Sequence, residues 1–386
     1  MTEAHIQRGR ARRVAAAGAA TLATFVIGAC GGTIGGAEDD AGQKAEVAQG
    51  GEASGELTIS NWPGYIDPGK EGTIPEYQKE SGITTEYIED VNDNSAFFGK
   101  LQPQLDQGQS GDRSIFVVTD WMAKQMYDLG YLQNLDHENL PTVFENINAG
   151  AESSDLDPER DYAIPWQSGM TGMWVDKSQA PEITSVNDLF DPKYAGKVTF
   201  LTEMRDSVPL VMKADGIDPA EATAEDWQAA IDKIRDAADS GQIRRFTGND
   251  YTKDINSKNV VASVGWSGDA SLISNDDAEW VMPDEGCMLW TDNMVIPIGA
   301  PNPQAAQDFM NYVYEPEVQA DITEWVTYVT PVDGVQDVLE QRGSDLAADD
   351  LVFPSEEFTA DCSDQVNPPE EATSDLTESY QDVVAG

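Results

Sequence analysis

The sequence predicts an α/β fold with parallel sheets. Strand-like runs alternate with helix-like runs at the spacing of βαβ units from Glu56 onward. Ser114–Val118 and Val260–Val264 are largely apolar runs, which are typical of buried parallel strands. About 330 residues follow residue 55, a length that suits two domains of ordinary size.

Each predicted element follows from a local pattern. Short alternating or β-branched runs, bounded by turn residues, predict strands at Glu56–Ser60, Ile83–Ile88, Ser114–Val118, Tyr162–Trp166, Met170–Val175, Lys197–Leu201 and Val260–Val264. Apolar residues at helical spacing predict helices at Ile74–Glu80, Ser95–Leu105 with a kink at Pro103, Gln304–Val313 and Pro316–Trp325. Two more helices begin at caps, one at Thr119 or Asp120 and one at the Thr223–Asp226 capping box, which is followed by Trp227, Ile231 and Ile234 on one face.

Residues 1–29 predict a lipoprotein signal peptide rather than part of the fold. Four Arg residues lie in the first 13 positions, and Val14–Ala29 is uncharged, Ala-rich and too weakly apolar for a spanning helix. The stretch ends in small residues before Cys30, which looks like a lipidation site; an ordinary signal peptide with a chance Cys is the alternative. Arg12-Arg13 leaves twin-arginine export open.

Residues 30–55 predict a flexible tether, because Gly, Ala, Glu and Asp dominate there without apolar periodicity. A lipid at Cys30 and this tether would hold the folded part at the outer face of the cytoplasmic membrane. We therefore expect an extracytoplasmic, lipid-anchored protein.

The chain is strongly acidic. It carries 23 Lys and Arg against 70 Asp and Glu, a formal charge of −47. Residues 1–29 hold four Arg and one Glu, so their removal brings the charge to −50. Nucleic acid and anionic lipid surfaces are therefore poor partners. Since the acids are spread along the whole chain, we attribute them mainly to solubility in salty surroundings, with attraction of cations as a by-product that salt weakens.

Three Cys and two His limit the chemistry. If Cys30 carries a lipid, Cys287 and Cys362 remain as an even pair in an oxidising compartment, and we predict a disulfide between them. His5 lies in the signal peptide, and His137 alone makes a His-based zinc site or a Ser-His-Asp triad a poor hypothesis. The sequence contains no P-loop, GxGxxG or metal-binding Cys cluster. We expect no cofactor, no metal site and no enzymatic activity.

Aromatic and acidic residues cluster at the ends of the predicted strands. Trp290 and Asp292 are two residues apart, so they share a face if their segment is a strand. In open α/β sheets, ligands bind beyond the carboxyl ends of strands. Each cluster alone could be a turn or a half-buried ring, but five in one structural position favour a ligand site. They are Trp62/Tyr65, Thr119/Trp121, Glu203/Asp206, Trp266/Asp269 and Trp290/Asp292.

Rings and carboxylates together favour an organic cation with an apolar body. Ring faces attract a cation and enclose its methylene chain, while carboxylates pair with its ammonium ends. We expect these carboxylates to be ionised when the cation is bound. A hydrolase that uses Glu203 and Asp206 is a weaker alternative, because residues three apart on a helix are neighbours and do not flank a substrate.

From Glu56 to Asp361 the chain resembles the bacterial spermidine/putrescine-binding proteins of polyamine ABC transporters. The motifs that carry the resemblance are Asn61-Trp62-x-x-Tyr65, Asp161-Tyr162-x-Ile164-Pro165-Trp166, Asp188-Leu189-Phe190-Asp191-Pro192-Lys193-Tyr194-x-Gly196, Trp290-x-Asp292 and Tyr328-x-Thr330-Pro331. The resemblance implies a two-lobed periplasmic-binding-protein fold of type II, with a mixed sheet flanked by helices in each lobe and a hinge of crossing strands. The implied lobes are residues 56–168 with 293–325, and residues 169–292 with 326–386.

The resemblance also implies the roles of individual residues. Trp62, Tyr65, Trp266 and Tyr328 are similar to aromatic contacts, and Trp290 and Asp292 to the ring and carboxylate that hold an amine. Thr119 stands where the family often has serine, Trp121 where it has tyrosine, and Glu203 and Asp206 where it has an acidic pair with the two acid types interchanged. The family's C-terminal glutamine contact has no clear counterpart here except Gln365.

The implied function is a receptor, expected to be a monomer, that captures a polyamine and hands it to an ABC permease. The same fold could instead bind a quaternary amine, a thiamine-like cation or an amino-phosphonate. A phosphonate would need Arg or helix N-termini, and Arg205 is the basic residue within these clusters. A sensory or adhesive lipoprotein would have the same sequence features.

Overall fold

The computed structural model describes residues 47–386, and within them the predicted α/β class is confirmed. Ten strands in this range form one hydrogen-bonded sheet. The strands are β1 (Glu56–Asn61), β2 (Thr84–Glu89), β3 (Ile115–Thr119), β4 (Ile164–Asp176), β5 (Val198–Leu201), β6 (Ile243–Thr247), β7 (Ala262–Trp266), β8 (Ala278–Val281), β9 (Met288–Val295) and β10 (Ser363–Asp364).

The helices of the same range lie between these strands and after them. They are α1 (Thr73–Ser81), α2 (Asn94–Leu105), α3 (Asp120–Asp128), α4 (Pro141–Asn146), α5 (Met204–Ala214), α6 (Ala224–Asp239), α7 (Tyr251–Asn256), α8 (Pro303–Val313), α9 (Pro316–Val326), α10 (Val335–Arg342) and α11 (Thr373–Ala385). The predicted capping box at Thr223 and Asp226 starts α6, whose Trp227, Ile231 and Ile234 are buried on one face.

The sheet has two halves, each built around parallel strands. Its order is β2-β1-β3-β9-β4-β7-β5-β6, with β10 beside β9 and β8 beside β4. In the first half β1 is parallel to β2 and β3, and in the second half β5 is parallel to β6 and β7. The central strand β9 is antiparallel to both β3 and β4, and β4 is antiparallel to β7. Residues at or just after the carboxyl ends of β1, β3, β5 and β7 line one cavity.

Two long strands connect the halves. β4 is one strand of 13 residues, so the prediction of two short strands at Tyr162–Trp166 and Met170–Val175 was wrong. Gln167 and Ser168, which lie between the two predicted strands, also pair with β9. A register shift between Pro165 and Gln167 accommodates the missing N–H of proline.

A disulfide joins Cys287 and Cys362, whose Cα atoms are 4.4 Å apart. Cys287 immediately precedes β9, and Cys362 immediately precedes β10, which pairs in parallel with the start of β9. Gly286 has a φ of 86°, and a Cβ there would lie 1.7 Å from the Asp361 carbonyl oxygen. Only glycine fits this close approach beside the disulfide.

The chain joins the fold before Glu56, within the predicted tether. Ala48 is buried, and its N–H donates to the carbonyl of Asn134 at 2.7 Å. The predicted signal peptide, Cys30 and the rest of the tether lie outside the described residues. The lobe boundaries stay a prediction; 168/169 falls within β4, 292/293 falls within β9, and 325/326 falls before the last residue of α9. None of the helices described in residues 47–386 has the length and apolar character to cross a membrane.

Candidate functional site

A cavity lies at the sheet centre, between residues of the two halves. About 480 Å³ of space lies between its side chains, counted out to the mouth and including open solvent there. Nine of the ten predicted site residues line it: Trp62, Tyr65, Thr119, Glu203, Asp206, Trp266, Trp290, Asp292 and Tyr328.

Trp62 and Tyr65 enter the cavity from the turn that follows β1. Both rings are buried. The turn needs Gly64, whose φ is 69° and whose added Cβ would lie 2.9 Å from Leu272, a cavity residue on the opposite side. The two rings contact other cavity rings, Trp62 that of Trp266 and Tyr65 that of Tyr328.

Thr119 ends β3 and orients a carboxylate. Its hydroxyl donates to Asp292 Oδ1 at 2.7 Å and accepts from Asn94 Nδ2 at 2.9 Å. Thr119 occupies the N-cap position of α3, as predicted, but its side chain makes no capping hydrogen bond. The hydroxyl is engaged by the site instead of by the helix.

Trp290 and Asp292 share one face of β9. Asp292 lies opposite Thr119 on β3 and Gln167 on β4, and Trp290 lies opposite Gly169. A Cβ on Gly169 would come within 2.6 Å of Trp290 Cζ2, so this glycine provides the space for the ring. The expectation that this pair follows the end of a strand was wrong: it lies inside β9 and reaches the cavity because β9 crosses between the halves.

Asp206 lies in the first turn of α5, just beyond the end of β5. Its Oδ1 accepts hydrogen bonds from Thr171 Oγ1 at 2.7 Å and Gln365 Nε2 at 3.1 Å, and its Oδ2 accepts one from Trp266 Nε1 at 3.3 Å. Three donors from three separate segments therefore fix this carboxylate.

Glu203 precedes α5 and reaches the first half of the sheet. Its Oε1 accepts from the backbone N–H of Asn94 at 2.6 Å and from Asn94 Nδ2 at 2.9 Å. Glu203 and Asp206 come from a single turn and do not face one another across the cavity. This arrangement differs from the flanking carboxyl pair of a glycoside hydrolase.

Asp269 and Tyr328 form the remaining polar part of the site. Asp269 accepts hydrogen bonds from the Tyr328 hydroxyl at 2.9 Å, from Asn249 Nδ2 at 3.2 Å and from the Tyr251 hydroxyl. A Cβ on Gly268 would lie 2.3 Å from the Tyr328 ring, so the ring packs directly on the backbone beside Asp269.

Five rings form a continuous aromatic wall. Neighbouring ring centroids are 5.8 Å apart for Trp62 and Trp266, 6.5 Å for Trp266 and Trp290, 5.5 Å for Trp290 and Tyr328, and 5.1 Å for Tyr328 and Tyr65. All four contacts are edge-to-face, a favoured geometry for aromatic pairs. The wall leaves ring faces available to an apolar or cationic ligand.

Burial raises the pKa of all four carboxyl groups that line the cavity. It raises the pKa of Asp292 to about 7 and the pKa values of Asp206 and Asp269 to about 6. Burial, followed by the charges of Asp93 and Asp206, raises the pKa of Glu203 well above its ordinary value. Among the described residues that line the cavity there is no Lys, Arg or His. A bound cation would supply the missing positive charge and favour the ionised carboxylates.

The raised pKa of Asp292 predicts a pH-dependent stability of the ligand-free protein. Between about pH 4 and pH 7 the folded state holds more protons than the unfolded state, so its free energy of unfolding falls as the pH rises. Asp292→Asn removes this effect and is expected to stabilise the ligand-free protein at about pH 8 by on the order of 1 to 4 kcal/mol. Denaturant titrations of both proteins at about pH 8 and pH 4 measure it; an equal gain at both values would contradict the prediction.

Trp121 is the predicted site residue that the structure does not bring to the cavity. Its buried ring lies beneath the Arg205 guanidinium, whose Cζ is 3.7 Å from the ring centroid. Arg205 Nε also donates to Asn367 Oδ1 at 2.7 Å. The ring of Trp121 therefore contacts a cation of the protein itself and not the cavity.

Three amide residues also line the cavity: Asn94, Asn249 and Gln365. Gln365 was suggested by the sequence as a possible contact, but the two asparagines were not predicted. Asn94 begins α2 and Asn249 precedes α7, and both act by donating to cavity carboxylates. Single amides in turns have no sequence pattern that distinguishes them. In residues 47–386 no group of three or more His, Cys, Asp or Glu side chains is arranged to hold a metal ion.

The fold and the cavity define a solute-binding protein, and comparison of sequences shows its family. The family of bacterial extracellular solute-binding proteins matches residues 73–354, and the chain belongs to this family. The family places the folded part outside the cytoplasm.

Individual relatives extend this result. The chain is 25% identical over 334 residues to the spermidine/putrescine-binding periplasmic protein of Escherichia coli (strain K12), which covers 86% of this chain and 92% of the relative. It is 29% identical over 297 residues to the putrescine-binding periplasmic protein PotF of the same organism, with 70% and 76% covered. The structure of a putative spermidine/putrescine ABC transporter from Listeria monocytogenes matches with a TM-score of 0.75 at 26% identity, over 85% of this chain and 98% of that one. These similarities confirm the two-lobed fold and the resemblance seen in the motifs; the relatives are binding proteins and not enzymes.

Proposed function

We propose that this protein captures a polyamine such as putrescine or spermidine outside the cytoplasm and delivers it to the permease of an ABC importer. The observation that carries the proposal is a buried cavity with four carboxyl groups, five rings and, among its described lining residues, no basic side chain. The names of the relatives support the choice of a polyamine among organic cations.

The chemistry of the cavity suits a flexible chain with a charge at each end. The rings of Trp62, Trp266 and Trp290 would cover the methylene groups, whose transfer from water contributes roughly 0.8 kcal/mol per buried CH₂. Each primary ammonium group has three N–H donors and requires acceptors once it is out of water. Asp292 and Asp206 supply charged acceptors from different segments. No bond is made or broken, so capture and release are changes of binding alone.

Capture would also close the protein. The cavity residues come from both halves, so a ligand that contacts both stabilises the arrangement in which the halves approach. We propose that the lobes, residues 56–168 with 293–325 and residues 169–292 with 326–386, move as units about β4 and β9, and that the permease recognises the closed monomer. We also propose that a lipid on Cys30 keeps the receptor near the permease.

The geometry of the cavity favours a ligand with primary ammonium groups over a quaternary amine or an amino-phosphonate. A quaternary ammonium cannot donate hydrogen bonds, so the buried carboxylates would gain no hydrogen bond from the ligand. A phosphonate would require a basic partner, but Arg205 is turned to Trp121 and Asn367 and does not line the cavity.

Thermal unfolding with a panel of ligands tests the ligand class. We expect putrescine or spermidine to raise the unfolding midpoint in both low and high salt, because a ligand that binds only the folded state stabilises it by about 2.7 kcal/mol at one hundred times its Kd. Glycine betaine and aminoethylphosphonate serve as the matched compounds that lack a second ammonium group. A rise with either of these and none with the polyamines would overturn the proposed ligand.

A further inference from the structure

The segment that follows the disulfide runs along the edge of the site. We call residues 362–367 the strap. The N–H of Ser363 donates to the Cys287 carbonyl at 2.9 Å, and the N–H of Gln365 donates to the Leu289 carbonyl at 2.7 Å. The strap therefore follows β9 toward Trp290, and Cys362 and Cys287 each lie three residues before a residue that lines the cavity, Gln365 and Trp290.

Two amide side chains of the strap contact the turn that carries the site's acids. Gln365 Nε2 donates to Asp206 Oδ1 at 3.1 Å, and Asn367 Oδ1 accepts from Arg205 Nε at 2.7 Å. Arg205 in turn stacks on Trp121 of the first half, with 3.7 Å between its Cζ and the ring centroid. The strap thus contacts one residue that lines the cavity and one residue that joins the two halves.

Backbone pairing alone holds the strap weakly. β10 consists of two residues, and a ladder this short is marginal without further support. The disulfide links positions 75 residues apart. Without it, placing the strap beside β9 would carry the conformational-entropy cost of closing a long loop. The covalent link lies at the point where the strap meets β9.

We propose that the Cys287–Cys362 disulfide is a positioning device for ligand capture: it holds Gln365 and Asn367 against the turn of Glu203–Asp206 and so sets the affinity of the site. The identity of the ligand in this inference rests on the proposed function. Gln365 and Asn367 are positioning residues for Asp206 and Arg205, and the disulfide acts through them.

The pH dependence of ligand affinity can reveal whether the strap still contacts Asp206. The charged groups that face it are Asp93 before α2, Asp292 on β9, and Glu203 and Arg205 in its own turn. The amide of Gln365 is one of the donors that lower the pKa of Asp206 against the effect of burial. Loss of the strap would remove this donor, so the pH at which ligand affinity falls would move upward. A general loss of stability would not move it.

The test compares the disulfide-bonded protein with the variant Cys287→Ser/Cys362→Ser, each with and without Gln365→Ala, using putrescine and spermidine as probes. We expect the double serine variant to bind about tenfold more weakly, with the midpoint of its affinity–pH profile shifted upward. Gln365→Ala should weaken ligand binding about tenfold when the disulfide is present and about twofold or less when it is absent. The control is Gln107→Ala, because Gln107 is exposed and lies away from the cavity; this substitution should leave ligand affinity unchanged. Equal affinities with and without the disulfide, or additive effects of the substitutions, would overturn the proposal.

Hydrogen exchange without ligand decides the proposal independently. In the double serine variant the amides of residues 362–367 and of residues 202–206 should both exchange faster, whereas faster exchange confined to residues 362–367 would refute the positioning role. If the serine variant does not fold, Gln365→Ala and Asn367→Ala with the disulfide intact must each weaken binding, and Gln365→Ala must also shift the pH profile upward; unchanged binding in both variants would overturn the proposal. A disulfide-bonded wild type that binds no polyamine would reject the proposed function, and the exchange pattern would still decide the role of the strap.

Discussion

Replacing Asp292 by Ala is expected to weaken putrescine binding by roughly 2 to 5 kcal/mol, which is about 30-fold to several thousand-fold. Asp292 is 4% exposed, lies on the crossing strand β9 and is held toward the cavity by the Thr119 hydroxyl. Without the carboxylate, a buried ammonium group would lose its charged acceptor and keep the cost of leaving water. Calorimetric titration of the variant measures this loss.

The control for this prediction is Asp333→Ala, which removes the same charge from an exposed position. It separates the local effect of Asp292 from the general field of an acidic protein. Circular dichroism checks that each variant is folded. If Asp292→Ala bound putrescine as tightly as the wild type, the carboxylate would not contact the ligand and the proposed pose would be rejected.

The second large effect is expected for Trp290→Ala. The ring of Trp290 packs between Trp266 and Tyr328, and its Nε1 donates to Thr171 at 3.0 Å. Its removal takes away the surface that covers the methylene chain and the cation–π contact, with an expected cost of about 2 to 4 kcal/mol in binding free energy. Trp290→Phe retains a ring and should recover part of the affinity.

Trp325→Ala is the matched control for the ring. Trp325 belongs to α9, is 38% exposed and does not line the cavity. Calorimetric titrations of the three variants with putrescine give the comparison. A loss in Trp325→Ala as large as in Trp290→Ala would mean that the effect is not specific to the cavity wall.

Local patterns in the sequence predicted much of the fold and nine lining residues. β3 is a short apolar run before a polar residue and a helix, and such strand–turn–helix units can be recognised without tertiary information. Trp62 and Tyr65 stand in a turn marked by Pro63-Gly64, and Trp290 and Asp292 are two residues apart, which places them on one face of a strand. These clusters were predictable because strand ends and side-chain alternation are local properties.

The rest depended on tertiary structure. β4 continues through Gln167 and Ser168 because these residues pair with β9, and their local sequence does not reveal this pairing. Trp121 has the composition of a ligand contact, but its ring is occupied by Arg205, a residue 84 positions later in the chain. Gln365 reaches Asp206 because the disulfide and β10 bring the C-terminal segment to β9, which no spacing rule reveals.

The acidic surface must be distinguished from the site itself. A formal charge of −47 attracts any polyamine loosely, and salt screens such attraction between exposed charges. The cavity carboxylates are buried, so their pairing with a bound ammonium group is screened much less. Binding to the surface and binding to the cavity therefore differ in their salt dependence and in their stoichiometry.

Calorimetric titration of the purified protein with putrescine and with spermidine, in low and in high salt, tests the central claim most directly. We predict saturable binding of one polyamine per chain that persists in high salt. Heat that disappears in high salt, or that fails to saturate at one ligand per chain, would show only loose attraction to an acidic surface and would contradict the assignment of a polyamine receptor.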